Sequence, residues 1–145
     1  MMIGTGYVGL VSGACLAEFG NKVICYDIDH GKIEGLEKGK VPFFEPGLEE
    51  MVIRNRDEGR LRFSTDLAKC VAESTVIFIA VGTPEQDDGT ADLSAVFAVA
   101  GDIADHMEGF KVIVQKSTVP VGTTRKIGDL IRERTGGKAD FELVS

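Results

Sequence analysis

Two features of the chain could do chemistry. The first is Gly4-Thr5-Gly6-Tyr7-Val8-Gly9, a GxGxxG pattern placed between an apolar stub and a helix-like segment. The three glycines serve different ends. Gly4 permits a tight turn, Gly6 lets the backbone approach a pyrophosphate, and Gly9 allows a helix to pack closely on a sheet. The start of that helix adds free N–H groups and the positive end of a dipole. The second feature is Asp27, about twenty residues further on, where a carboxylate can accept both ribose hydroxyls of an adenosine. Asp27 could instead cap the helix that follows, a role equally open to Asp29. Taken together the two features imply a dinucleotide site. Asp27 would repel a 2′-phosphate, so NAD is favoured over NADP, and Lys32 works slightly against that preference because a cation there could receive the phosphate.

Other candidate groups read as structure. Cys15, Cys25 and Cys70 lie far apart in sequence and form neither a disulfide framework nor a metal-type pair. Each sits on a helix face or within a strand, where a cysteine is usually inert packing. His30 and His106 make no HxxxH or HExxH pattern and read as surface residues. The acidic run Glu85, Asp87, Asp88 and Asp92 lacks the glycine and terminal glutamate of a calcium loop and reads as a solvated loop. Phe43-Phe44, before Glu45-Pro46-Gly47-Leu48, reads as a packed connection.

The elements that must position the site alternate in type. Met1-Met2-Ile3 is a strand stub, too short to fill a central position. A helix from about Tyr7 places Val8, Val11, Cys15 and Phe19 at spacings of three and four, and Gly20-Asn21 ends it. Lys22 to Tyr26 (KVICY) is rich in strand formers. A helix from His30 to Lys38 ends at Gly39, and Pro46 opens another with Leu48, Met51 and Val52 inward. Leu61 to Phe63 is a short strand, and Ser64-Thr65-Asp66 offers capping side chains for a helix carrying Leu67, Cys70 and Val71. Thr75 to Val81 (TVIFIAV) is the strongest strand, apolar on both faces. After the polar loop Gly82 to Thr90, Asp92 caps a helix with Val96, Val99, Ile103 and Met107 inward. Lys111 to Gln115 is a strand, and Pro120 and Gly122 lead into a helix with Ile127, Leu130 and Ile131 inward. Phe141 to Val144 is a last strand. The pattern implies an α/β fold: a Rossmann-type, doubly wound parallel sheet of strand order 3-2-1-4-5-6, cut short at both ends.

Composition narrows the function classes. The 145 residues are 43% hydrophobic, with 16 basic and 23 acidic side chains and a net charge of −7. A chain this acidic has no long-range attraction for nucleic acid or anionic lipid, so a phosphate ligand must be held by local backbone geometry. No apolar run approaches the ~20 residues of a membrane span. The N-terminus shows no signal-peptide pattern, and the odd cysteine count fits a reducing cytoplasm.

The segments GTGYVGL, VICYDID, FFEPGLEE, RLRFSTD, FIAVGTP, DDGTADLS and KSTVPVGT follow one another along nearly the whole chain. In this the chain resembles the UDP-glucose/GDP-mannose dehydrogenase family, and KSTVPVGT is more similar to the UDP-glucose branch than to the GDP-mannose branch. The resemblance implies oxidation of the C6 alcohol of a nucleotide sugar to a carboxylate, with two NAD and a cysteine that forms a thiohemiacetal and then a thioester. It puts Gly4, Gly6, Tyr7, Val8 and Gly9 on the pyrophosphate, Asp27 on the adenosine ribose with Lys32 beside it, and Thr83 and Pro84 along the cofactor crevice. It puts Thr118 near the nicotinamide, where it would position water or sugar. From the residues alone, Thr83 and Thr118 are as open to turn or capping chemistry, although both follow strands at the ligand-binding end of the sheet. The family's substrate carboxylates and its nucleophilic cysteine match nothing in this chain. The resemblance therefore implies residues 1–145 as the cofactor half of a homo-oligomeric enzyme, with the central helix and the UDP-glucose domain absent and the half inactive by itself. A stand-alone NAD-sensing module is the competing expectation. A methyltransferase fits less well, since its loop usually lacks the third glycine.

Overall fold

The computed structural model describes residues Met1–Ser145. The strands are β1 (Met2–Ile3), β2 (Val23–Tyr26), β3 (Leu61–Ser64), β4 (Val76–Ile79), β5 (Lys111–Gln115) and β6 (Phe141–Val144). The helices are α1 (Tyr7–Glu18), α2 (His30–Glu37), α3 (Leu48–Asp57), α4 (Leu67–Glu73), α5 (Ser94–His106) and α6 (Thr123–Arg134). All six strands run parallel in the order β3-β2-β1-β4-β5-β6. The order reverses between β1 and β4, which opens a crevice at the carboxyl ends of those strands.

Alternation along each strand feeds two cores. Met2, Val23, Cys25, Leu61 and Phe63 pack with Leu10, Ala14, Leu36 and Val52 from α1, α2 and α3. Ile3, Ile24, Ile77, Ile79 and Ile113 pack on the other face with Val71, Val96, Ile103, Ile127 and Ile131 from α4, α5 and α6. No helix is long and apolar enough to cross a membrane.

Several local expectations need correction. The buried face of α1 is Gly9, Leu10, Gly13, Ala14 and Ala17 rather than Val8, Val11, Cys15 and Phe19. Val8 is 49% and Phe19 85% exposed. Small residues win because α1 lies close on the sheet: a Cβ on Gly13 would stand 2.6 Å from Cys25 Sγ. β1 does fill a central position despite its length, because Met2 pairs with both Cys25 and Phe78, and Ile3 with both Tyr26 and Ile79. Met1 extends this contact, its amino group donating to Val76 O at 2.5 Å and its carbonyl accepting from Phe78 N–H at 3.0 Å. β4 is shorter than Thr75 to Val81 and is not covered on both faces throughout, Val76 being 39% exposed. Asp92 does not stand at the cap position of α5, which Leu93 takes, but its Oδ1 accepts from Ser94 N–H at 2.8 Å. Of Phe43 and Phe44 only the first packs, and Phe44 is 89% exposed.

One buried charge was not anticipated. Lys111 opens β5 yet is only 4% exposed, and its ammonium donates to Ser74 O at 2.7 Å. Lys111→Ala would leave that carbonyl without its partner and open a void, so a loss of about 2 kcal/mol is expected in urea denaturation.

Candidate functional site

The site grows out of the turn after β1. Gly4 has φ +99°, a left-handed conformation that glycine adopts freely, and a Cβ there would also stand 2.7 Å from Ala80 O. Its N–H donates to Tyr26 O at 2.8 Å, which ties the turn to β2. A Cβ on Gly9 would fall on the Gly4 carbonyl oxygen, so α1 can start this close to β1 only with glycine there. Gly6 differs from both: a Cβ there would meet nothing within 4 Å. The chain itself does not need a glycine at Gly6, and the space in front of it is open. The amide groups of the first turn of α1 have no intrahelical acceptor, no side chain caps them, and their dipole points at that space.

Asp27 stands across the same opening and is 8% exposed. Its Oδ2 accepts from Thr5 N–H at 2.8 Å and from Thr5 Oγ1 at 2.7 Å, and its Oδ1 accepts from Asp29 N–H at 3.0 Å. The cap of α2 is Asp29, which accepts from Lys32 N–H at 3.1 Å, and not Asp27. A carboxylate has about four lone-pair positions, so Asp27 keeps about one free where two ribose hydroxyls were expected. A second becomes free if the Thr5 hydroxyl turns away. Burial pushes the Asp27 carboxyl up, but the hydrogen bonds from Thr5 and Asp29, with the charge of Lys32, outweigh it and hold the group below its ordinary value.

The sign of that shift gives a test. A lowered carboxyl pKa contributes stability that is present above its unfolded value and is lost as pH falls through the folded one. Asp27→Asn should therefore remove part of the chain's acid-induced loss of stability, measured as the thermal midpoint between neutral pH and the acid range below the ordinary carboxyl value.

Gly4, Gly6, Asp27, Lys32, Val81 and Gly82 line one cavity of about 490 Å³ at the carboxyl ends of β1, β2 and β4. A larger space, about 660 Å³, lies at the amino ends of β2, β3 and β4, beside Met1, and contains none of these residues. Thr83 and Thr118 follow β4 and β5 and meet: Thr83 Oγ1 donates to Thr118 O at 3.0 Å. Thr118 is exposed at the same end of the sheet as Gly6, and Pro84 is exposed beside it. Ser117 Oγ donates to Val81 O at 2.6 Å and fastens the two strand ends together. Tyr7 is exposed, its ring 5.2 Å from that of Phe43, and its hydroxyl donates to Glu45, so the segment before α3 folds back over the glycine loop.

Sequence reasoning missed Thr5, Ser117 and the contact of Tyr7 with Phe43 and Glu45. The signal for Thr5 was its position between two glycines. A fully buried hydroxyl there has to be hydrogen-bonded, and Asp27 is within its reach.

A family model described as the NAD binding domain of the UDP-glucose/GDP-mannose dehydrogenase family matches residues 1–145. UDP-glucose 6-dehydrogenase from Rhizobium meliloti (strain 1021) is 56% identical over 145 residues, which is 99% of this chain and 33% of that protein. UDP-glucose 6-dehydrogenase TuaD from Bacillus subtilis (strain 168) is 49% identical over 99% of this chain and 31% of its own length. The chain thus spans about a third of the length of these relatives. A ternary complex of GDP-mannose dehydrogenase from Pseudomonas aeruginosa superposes with a TM-score of 0.91 at 38% identity, over 97% of this chain and 34% of that one. A UDP-glucose dehydrogenase from Pyrobaculum islandicum also superposes with a TM-score of 0.91, at 37% identity, over 97% of this chain and 33% of that one.

Proposed function

Because the chain belongs to the UDP-glucose/GDP-mannose dehydrogenase family and forms its NAD binding domain, we propose that its residues hold NAD along a line from Asp27 past Gly6 to Thr118, in a protein that oxidises UDP-glucose to UDP-glucuronate. Gly4, Gly6, Tyr7, Val8 and Gly9 take the pyrophosphate. Asp27 takes the adenosine ribose, with Lys32 beside it. Thr83 and Pro84 line the cofactor crevice, and Thr118 lies near the nicotinamide. The observation that carries this reading is the empty space in front of Gly6, within one cavity that also contains Asp27. When bound, NAD supplies the hydride acceptor, and oxidising an alcohol to a carboxylate takes four electrons and so two NAD per sugar. UDP-glucose is favoured over GDP-mannose by 56% identity to a relative named for the first against 37% to one named for the second.

The chain's own residues bind and orient, and no cysteine lines the cavity that Gly6 and Asp27 share. Cys25 is fully buried, which pushes its thiol up to about 12. Burial also pushes Cys70 up. A nucleophilic thiolate needs access and a lowered pKa, the opposite on both counts. Residues 1–145 alone should therefore bind NADH yet form none from NAD and UDP-glucose, followed by NADH absorbance. Formation of NADH by the 145-residue chain would overturn this. In the whole protein, turnover with UDP-glucose should exceed that with GDP-mannose, and the reverse order would reassign the sugar.

Thr118 has a separate expectation. Its hydroxyl makes no hydrogen bond within the chain, and its loss removes at most about 1 kcal/mol from NAD binding. Thr118→Ala should thus weaken NADH binding by no more than about fivefold and lower turnover of the whole protein, since a group that positions water or sugar acts in the transition state.

A further inference from the structure

One face of α5 walls the cofactor cavity beyond Asp27. Ala95, Ala98, Val99 and Asp102 recur at spacings of three and four, and all of them line it together with Tyr26 and Ile28. The wall is apolar and low, with alanine methyls at two positions, and it suits the face of a flat ring. Asp102 ends it. Half-buried, its carboxylate makes no hydrogen bond or ion pair within the chain. The groups nearest it on α5 are engaged elsewhere: Asp105 pairs with Arg134 at 2.8 Å, and the His106 ring nitrogen lies 2.8 Å from the Asp102 backbone oxygen. The only cation lining the cavity is Lys32, on the helix that Asp29 caps. Asp102 and Asp27 also both act on one phenol. Burial pushes Tyr26 up, the two carboxylates add to it, and all three residues line the cavity.

A free carboxylate at the edge of an apolar wall accepts hydrogen bonds and can donate none. It welcomes an amino group at the edge of a flat ring and repels a carbonyl oxygen there. We propose that Asp102 recognises the 6-amino group of the adenine ring and makes the site selective for adenine over 6-oxo purine dinucleotides. The proposal rests on the NAD reading given above, and it assigns Asp102 a role in specificity that the glycine loop and Asp27 do not supply.

The test is a crossed comparison of two ligands and four proteins. The 145-residue chain is titrated with NADH and with reduced nicotinamide hypoxanthine dinucleotide, which carries a 6-oxo group in place of the 6-amino group and a hydrogen on the adjacent N1. The unmodified chain should bind NADH about tenfold more tightly, the usual size of a hydrogen bond to a charged group. In Asp102→Ala the ratio should fall to about one. In Asp102→Asn it should fall to one or invert, because the amide can donate to the 6-oxo group. Asp27→Asn should weaken both ligands and keep the ratio, which a general loss of structure at Asp102 would not reproduce. Equal affinities in the unmodified chain, or an unchanged ratio in both Asp102 variants, would overturn the inference and leave NAD binding standing. A folded chain that binds neither dinucleotide would overturn both.

Discussion

Gly9→Ala should cost the chain about 3 kcal/mol of stability, a fall of about 10 °C in its thermal midpoint, and abolish dinucleotide binding with it. The added methyl would fall on the Gly4 carbonyl oxygen. That oxygen cannot swing aside as the end of a flexible side chain would. It belongs to a turn fixed by the Gly4 N–H bond to Tyr26 and by the left-handed conformation of Gly4. Relief would come only by lifting α1 from the sheet. Lifting α1 would also open the contact of Gly13 with Cys25 and uncover Leu10, Ala14 and Ala17. Circular dichroism against temperature measures the effect, and a variant as stable as the unmodified chain would show that α1 does not sit this close to β1.

Gly6→Val should do the reverse, sparing the fold and removing the ligand. Gly6 has φ −69° and ψ −175°, which any residue adopts, and beyond its chain neighbours no atom lies within 4 Å of where a Cβ would stand. Stability should change by no more than about 0.5 kcal/mol. The branched side chain would fill the space a pyrophosphate needs against the first turn of α1, so NADH affinity should fall about a hundredfold, near 2.7 kcal/mol. The two glycines separate what a single loop does: Gly9 builds the turn, and Gly6 keeps it open. A Gly6→Val chain that binds NADH normally would move the phosphates elsewhere.

Much of this arrangement is legible in the residues themselves. Apolar runs alternating with helical segments imply a parallel sheet, and GxGxxG after the first run marks where its order reverses. The strand order 3-2-1-4-5-6 and the meeting of Thr83 with Thr118 at one end of the sheet follow from that. Periodicity misled at α1, because counting large apolar residues selects Val8 and Phe19, whereas close packing on a sheet selects Gly9, Gly13, Ala14 and Ala17. The burial of Lys111 was not legible either, since only the fold brings the carbonyl of Ser74 within reach of its ammonium. The bond from Thr5 to Asp27 was harder to read than the position of Thr5 between two glycines, because its partners are 22 residues apart. The same bond explains why Asp27 offers ligands fewer acceptors than a free carboxylate would. Asp102 lay beyond reach as well, since only the fold brings the α5 face to the cavity that Asp27 lines.

We propose at the centre an acidic chain that would hold a dinucleotide by its glycine loop and select it by the Asp27 carboxylate. Calorimetric titration of the unmodified 145-residue chain with NADH and then NADPH tests this most directly. Like charges brought together at Asp27 cost several kcal/mol, and Lys32 returns part of this, so NADPH should bind at least about tenfold more weakly than NADH. Equal affinities for the two, or a folded chain that takes up neither, would contradict the account.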